Sequence, residues 1–104
     1  PEPSSVFFAK RPVGLGSKRF LALADPRLLS PWRRKLKPRW QKVWDYSKKM
    51  VKGEQFPPVL IAWRKELEEW TWRDGCHRYF ASLVSGQFLR VSFKDPQDQS
   101  VDNG

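Results

Sequence analysis

Cysteine and histidine are almost missing from this chain, which has one of each, Cys76 and His77, in 104 residues. A single cysteine closes no internal disulfide. With His77 as its only soft companion it cannot complete a structural zinc site, which takes about four ligands. A zinc or disulfide scaffold is excluded, and zinc is not an expected cofactor. Long apolar runs are missing too: the longest, Phe20–Ala24 and Val59–Trp63, are five residues each, against the ~20 that cross a bilayer. No transmembrane segment, secretory hydrophobic region or membrane partner is expected, and the expected address is the reducing cytoplasm. A chain of about a hundred residues fills one modest core and not two, so one domain is expected over residues 6–94. The polar, proline-rich residues 1–5 and the segment 95–104, with one apolar residue in ten, cannot offset their ordering entropy by burial and read as flexible tails.

Acids are scarce beside bases: 11 Asp and Glu against 20 Lys and Arg, a formal net charge of +9. The excess is local. Between Trp32 and Lys52 stand nine basic residues (Arg33, Arg34, Lys35, Lys37, Arg39, Lys42, Lys48, Lys49 and Lys52) and one acid, Asp45. A face meant only for solubility mixes signs, whereas a one-signed cluster attracts polyanions, of which phosphate is the commonest. Trp32, flanked by Arg33, Arg34 and Lys35, suits either stacking on an unpaired base or packing against a sheet edge. These residues form the candidate nucleic-acid-binding set, with DNA the expected partner through its backbone.

The spacing predicts short strands at Val6–Phe8 and Phe20–Ala24 about a Gly14-Leu15-Gly16 turn, and chain breaks at Asp25-Pro26 and Ser30-Pro31. From Pro38 the residues Trp40, Val43, Trp44, Ser47, Met50 and Val51 recur at helical spacing, one apolar face ending at Gly53. Trp40, Trp44 and Trp63 are expected in the core. Val59–Trp63 reads as a strand buried on both faces, Arg64–Glu68 as a charged hairpin loop, and Glu69–Arg73 as a half-buried strand carrying Trp70 and Trp72 on one side. A short helix with Phe80, Leu83 and Val84 stops at Gly86, and Leu89, Val91 and Phe93 mark a last strand. The result is a small α+β domain with no internal repeat.

The reactive residue types gather in Asp74-Gly75-Cys76-His77-Arg78, between a strand end and a helix start. A helix N-terminus offers unpaired N–H groups and positive potential, glycine permits close approach, and arginine adds a two-pronged donor, so a phosphate suits this loop. The same surroundings lower a thiol pKa and are expected to make Cys76 a thiolate nucleophile. A lone buried cysteine and a hydrogen-bonded turn histidine are the structural alternatives.

Asp74 to Ala81 (Asp-Gly-Cys-His-Arg-Tyr-Phe-Ala) resembles the Gly-x-His-Arg signature of the ParB/sulfiredoxin superfamily. Gly75-Cys76-His77-Arg78-Tyr79 followed by Ala81 is similar to the sulfiredoxin form. Phe56-Pro57-Pro58-Val59, the aromatic second strand and Pro38-Arg39-Trp40-Gln41-Lys42-Val43-Trp44-Asp45 follow in matching order, so the resemblance runs roughly from Phe20 to Phe93. It implies an α+β fold with a mixed sheet, helices packed on it, and a signature loop that binds nucleotide or nucleic-acid phosphate. In sulfiredoxins the signature cysteine attacks a phosphorylated sulfinic acid on peroxiredoxin, the histidine and arginine hold ATP phosphates, and a basic residue opening the first helix assists. By position these roles fall on Cys76, His77, Arg78 and Arg39. Asp74 departs from the sulfiredoxin pattern, which has a second glycine there, and the basic segment exceeds what a peroxiredoxin partner requires. Partition-site recognition is not expected without a helix-turn-helix domain.

Three functions follow as expectations. The first is a DNA nuclease or ATP hydrolase of this fold, plasmid or phage encoded and interfering with DNA transfer. Here Asp74, Cys76, His77 and Arg78 are the catalytic candidates; Arg39, Gly75, Cys76, His77 and Arg78 hold phosphate or ATP, and Asp74 holds magnesium or orients water. The second is a sulfiredoxin, repairing a peroxiredoxin sulfinic acid with ATP. The third is a non-enzymatic basic protein that inhibits a protein or DNA partner.

Overall fold

A computed structural model describes residues 7–12, 19–33 and 35–94. Six strands form one mixed sheet: β1 (Phe7–Pro12), β2 (Arg19–Ala24), β3 (Leu29–Pro31), β4 (Val59–Arg64), β5 (Glu69–Trp72) and β6 (Leu89–Lys94), with helices α1 (Trp40–Val51) and α2 (Cys76–Ser85). Their order across the sheet is β1-β2-β6-β4-β5-β3. The pairs β1–β2, β2–β6 and β4–β5 are antiparallel, whereas β4–β6 and β3–β5 are parallel. The expected tails 1–5 and 95–104, the Gly14–Gly16 turn and Arg34 lie outside the described residues.

Alternation along the strands sorts the side chains. Ala22 and Ala24, Val59 and Ile61, Trp70 and Trp72, and Leu89, Val91 and Phe93 are buried on one face. Trp70 is the hub of an aromatic cluster, with the rings of Phe7, Phe93 and Trp63 at 5.1, 5.0 and 5.5 Å. Helix α2 covers this face: the Tyr79 ring lies 4.7 Å from that of Trp72, and its hydroxyl donates to the Leu29 carbonyl at 3.3 Å. Helix α1 packs on α2. Both helices stop at glycines with left-handed φ, Gly53 at +88° and Gly86 at +71°, as the spacing predicts. The expected α+β class, mixed sheet and packed helices are all present.

Three expectations change. Trp40 and Trp44 are not core but 53% and 51% exposed. Because α1 rests on another helix, its contact line is narrow. Val43 and Ser47 are buried, Tyr46 and Met50 half-buried, and Val51 is left in solvent. Strand β4 is buried on one face only, with Leu60 63% exposed, because the helices cover one side of the sheet. Ser30-Pro31 is no break but part of β3, an edge strand. Proline is tolerated at an edge, where its missing N–H costs no ladder bond, and the Trp32 N–H resumes pairing with the Trp72 carbonyl at 2.8 Å.

Candidate phosphate-binding site

The turn from β5 into α2 is set by Gly75, whose φ is +105°. A Cβ there would lie 2.7 Å from Cγ2 of Val59, a side chain with no exposed surface and so no room to yield. Glycine therefore seats the loop directly on the start of β4. No side chain caps α2, so the N–H groups of its first turn, from Cys76 to Arg78, point outward with the positive end of the helix dipole.

His77 joins this helix start to the other one. Its Nε2 accepts from the Arg39 N–H at 3.0 Å, and Arg39 is the N-cap residue of α1. The ring is neutral in this arrangement, with Nδ1 carrying the proton. Burial, then the positive charges of Lys42 and Arg39, hold its pKa below the ordinary value. Those same two charges mark the space beside His77 as electropositive. Lys42 also sits over the Tyr46 ring at 5.5 Å, and Tyr46 packs 4.7 Å from Phe56 and 6.4 Å from His77. Lys42 thus belongs to the site itself as well as to the basic helix face. Its spacing of three from Arg39 is the sequence signal for that. Tyr46 and Phe56, the aromatic wall, carry no such signal.

Two expected roles are corrected. The Cys76 thiol is not poised as a thiolate: Cys76 packs against the core cluster, and burial pushes its pKa up. Nor is the Arg78 fork wholly available to a phosphate, since Nη1 donates to the carbonyls of Pro57 and Pro58 at 2.6 and 3.2 Å. Proline carbonyls in that segment have no strand partner, and Arg78 satisfies them, fixing the lead-in to β4. Asp74 is exposed, and among the described residues no three His, Cys, Asp or Glu side chains gather to hold a metal.

The candidate nucleic-acid residues Arg33, Lys35, Lys37, Lys42, Lys48, Lys49 and Lys52 are all exposed. Trp32 takes the sheet-edge alternative, not the open stacking one: Cζ of Arg64 and Cζ of Arg73 lie 4.4 and 4.1 Å from its ring centre. The ring is already occupied by two cations.

Neither a protein-family model nor a curated protein matches the chain. Among solved structures, sulfiredoxin from Arabidopsis thaliana is similar in fold, with a TM-score of 0.62 at 15% identity over 79% of this chain and 93% of that one. With its mixed sheet and helix order, the chain has a sulfiredoxin-like fold.

Proposed function

We propose that the protein binds a nucleoside triphosphate by its phosphates and hydrolyses phosphate esters or anhydrides, with nucleic acid as its larger substrate. The observation that carries this reading is the tie between Arg39 N–H and His77 Nε2, which joins the first turns of α1 and α2 and sets Lys42 beside an uncapped helix start. That donor set suits a phosphate: main-chain N–H groups of Cys76, His77 and Arg78 on one side, Arg39 and Lys42 side chains on the other. In such a site His77 positions the two helices, because its acceptor nitrogen is engaged. Arg39 and Lys42 stabilise charge developing on the phosphoryl oxygens. Exposed Asp74 is the nearest carboxylate in sequence to the loop and takes the proton of an attacking water. Magnesium, if used, arrives largely coordinated by the phosphates, which is its habit in such sites.

A sulfiredoxin-type reaction, ATP-dependent repair of a peroxiredoxin sulfinic acid, is the second reading, supported by the similar fold and by Cys76 at the first position of α2. The raised thiol pKa weighs against it unless a bound partner redistributes charge. Titration calorimetry with ATP, plasmid nicking and ATP hydrolysis on wild type, Gly75→Ala and Cys76→Ser separate the readings. Gly75→Ala is expected to abolish ATP binding. Cys76→Ser is expected to retain hydrolysis, since a water-mediated step needs no sulfur. Hydrolysis lost in folded Cys76→Ser, or sulfinic acid reduction by wild type, refutes the first reading, whereas ATP binding without turnover of any substrate leaves only a binding protein.

A further inference from the structure

The face of the sheet turned away from α2 carries a groove of about 1000 Å³, and its charge is predominantly positive: Arg19, Arg64, Lys65, Arg73 and Arg78 line it against Glu66 and Asp74. Trp32 lies against it from the β3 edge, with Cζ of Arg64 and Cζ of Arg73 both over its ring at 4.4 and 4.1 Å. Arg64 ends β4 and Arg73 directly follows β5. Neither is in an ion pair among the described residues. Two like charges gathered on one indole repel each other, and the arrangement is relieved when an anion enters between or beside them. Among the described residues neither guanidinium donates a hydrogen bond, so the N–H forks of both are left for a ligand. The indole therefore holds two bidentate donors in place, so they lose little entropy on binding. Arg19, held by its Nε donating to Ser92 Oγ at 3.2 Å, adds positive charge across the groove.

We propose that this groove is a track for the sugar-phosphate backbone of a single-stranded nucleic acid, leading to the Gly75–Arg78 loop. Three observations select that occupant. The charge is carried mainly by arginine, whose fork matches phosphate oxygens in pairs. The floor between the arginines is apolar, with Leu60 63% exposed and Ala62 beside it, a surface on which unpaired bases rest but which a duplex, with its bases turned inward, would leave wet. The groove also runs without interruption to Asp74 and Arg78, at the start of α2. This last point rests on the phosphate reading of that loop; the first two do not.

The test is fluorescence anisotropy with a labelled oligothymidylate of about twelve nucleotides, within the ~4–16 that a single-strand site covers. It is run on the full chain beside calorimetric titration of ATP. Arg64→Gln with Arg73→Gln is expected to bind the oligonucleotide about tenfold more weakly or worse, with unchanged ATP affinity. Arg64→Lys with Arg73→Lys keeps the charge but loses the forks, and is expected to fall between wild type and the glutamine variant. Circular dichroism confirms folding of each. Wild-type oligonucleotide affinity in the folded glutamine variant overturns the proposal, as does duplex DNA or polyglutamate binding as tightly as the single strand. If wild type fails to bind ATP while the groove variants still lose the oligonucleotide, the phosphate reading of the loop falls and the groove stands.

Discussion

At the scale of single residues, the site is built by side chains that hold backbone. His77 accepts from the N-cap of α1, and Arg78 donates to two proline carbonyls. This makes His77 a stability sensor. Its pKa in the folded chain is lowered, so near and below the ordinary value of about 6.5 the unfolded chain binds more protons. Stability is then complete above that value and declines as pH falls through it toward the folded pKa. Protonation also removes the acceptor that Arg39 N–H uses. The thermal midpoint of wild type is expected to fall between about pH 8 and pH 5 more steeply than that of His77→Gln, which keeps an acceptor but does not titrate. Parallel curves for the two proteins would show that His77 does not couple the helices.

At the scale of elements, the β4–β5 hairpin is the one place among the described residues where a side chain bears unfavourable backbone geometry. Glu68 sits at φ +51°, the only positive φ outside glycine among the described residues. The turn closes with Leu67 N–H donating to the Arg64 carbonyl and Glu68 N–H to that of Lys65, and this path needs the left-handed conformation. Removing Cβ relieves about 1–2 kcal/mol, offset by the greater freedom of glycine in the unfolded chain, about 0.5–1 kcal/mol. Glu68→Gly is therefore expected to gain up to about 1 kcal/mol, a rise of a few degrees in Tm for a domain of this size. Glu68→Val should lose stability, because a β-branched residue fits that conformation worst. Differential scanning calorimetry checks both; a lower Tm for Glu68→Gly contradicts the account.

At the scale of the whole molecule, the sheet separates the positive charge into two groups. Lys48, Lys49 and Lys52 are exposed on α1, which packs on α2 against the inner face, whereas Arg19, Arg64 and Arg73 line the outer groove. At physiological salt the Debye length is about 8 Å, so charge on the helix side is largely screened from a strand lying across the sheet. Each neutralised phosphate of a single strand contributes about 0.7 to the slope of log affinity against log salt. Lys48→Gln with Lys49→Gln and Lys52→Gln is expected to leave both the affinity near physiological salt and that slope close to wild type. A slope reduced by about 2 would instead place the strand on α1, as the composition of that segment by itself suggests.

Local pattern alone determined the α+β class, the strands at β4, β5 and β6, both helices with their glycine stops, and the place of the Gly75–Arg78 loop between β5 and α2. Period and turn chemistry are properties of a few adjacent residues, and those survive folding unchanged. Which side of an element meets another element is a different matter. Trp40 and Trp44 share helical spacing with Val43, yet only Val43 is buried, because α1 found a helix as its neighbour and not a sheet. Trp32 suited a stacking ring and a sheet-edge contact equally until β3 set it beside Arg64 and Arg73, more than thirty residues away along the chain. The state of Cys76 followed the same rule: helix starts lower a thiol pKa, but here packing against the core raised it. Burial and long-range pairing were decided only when the sheet closed, since each depends on residues that no local window contains.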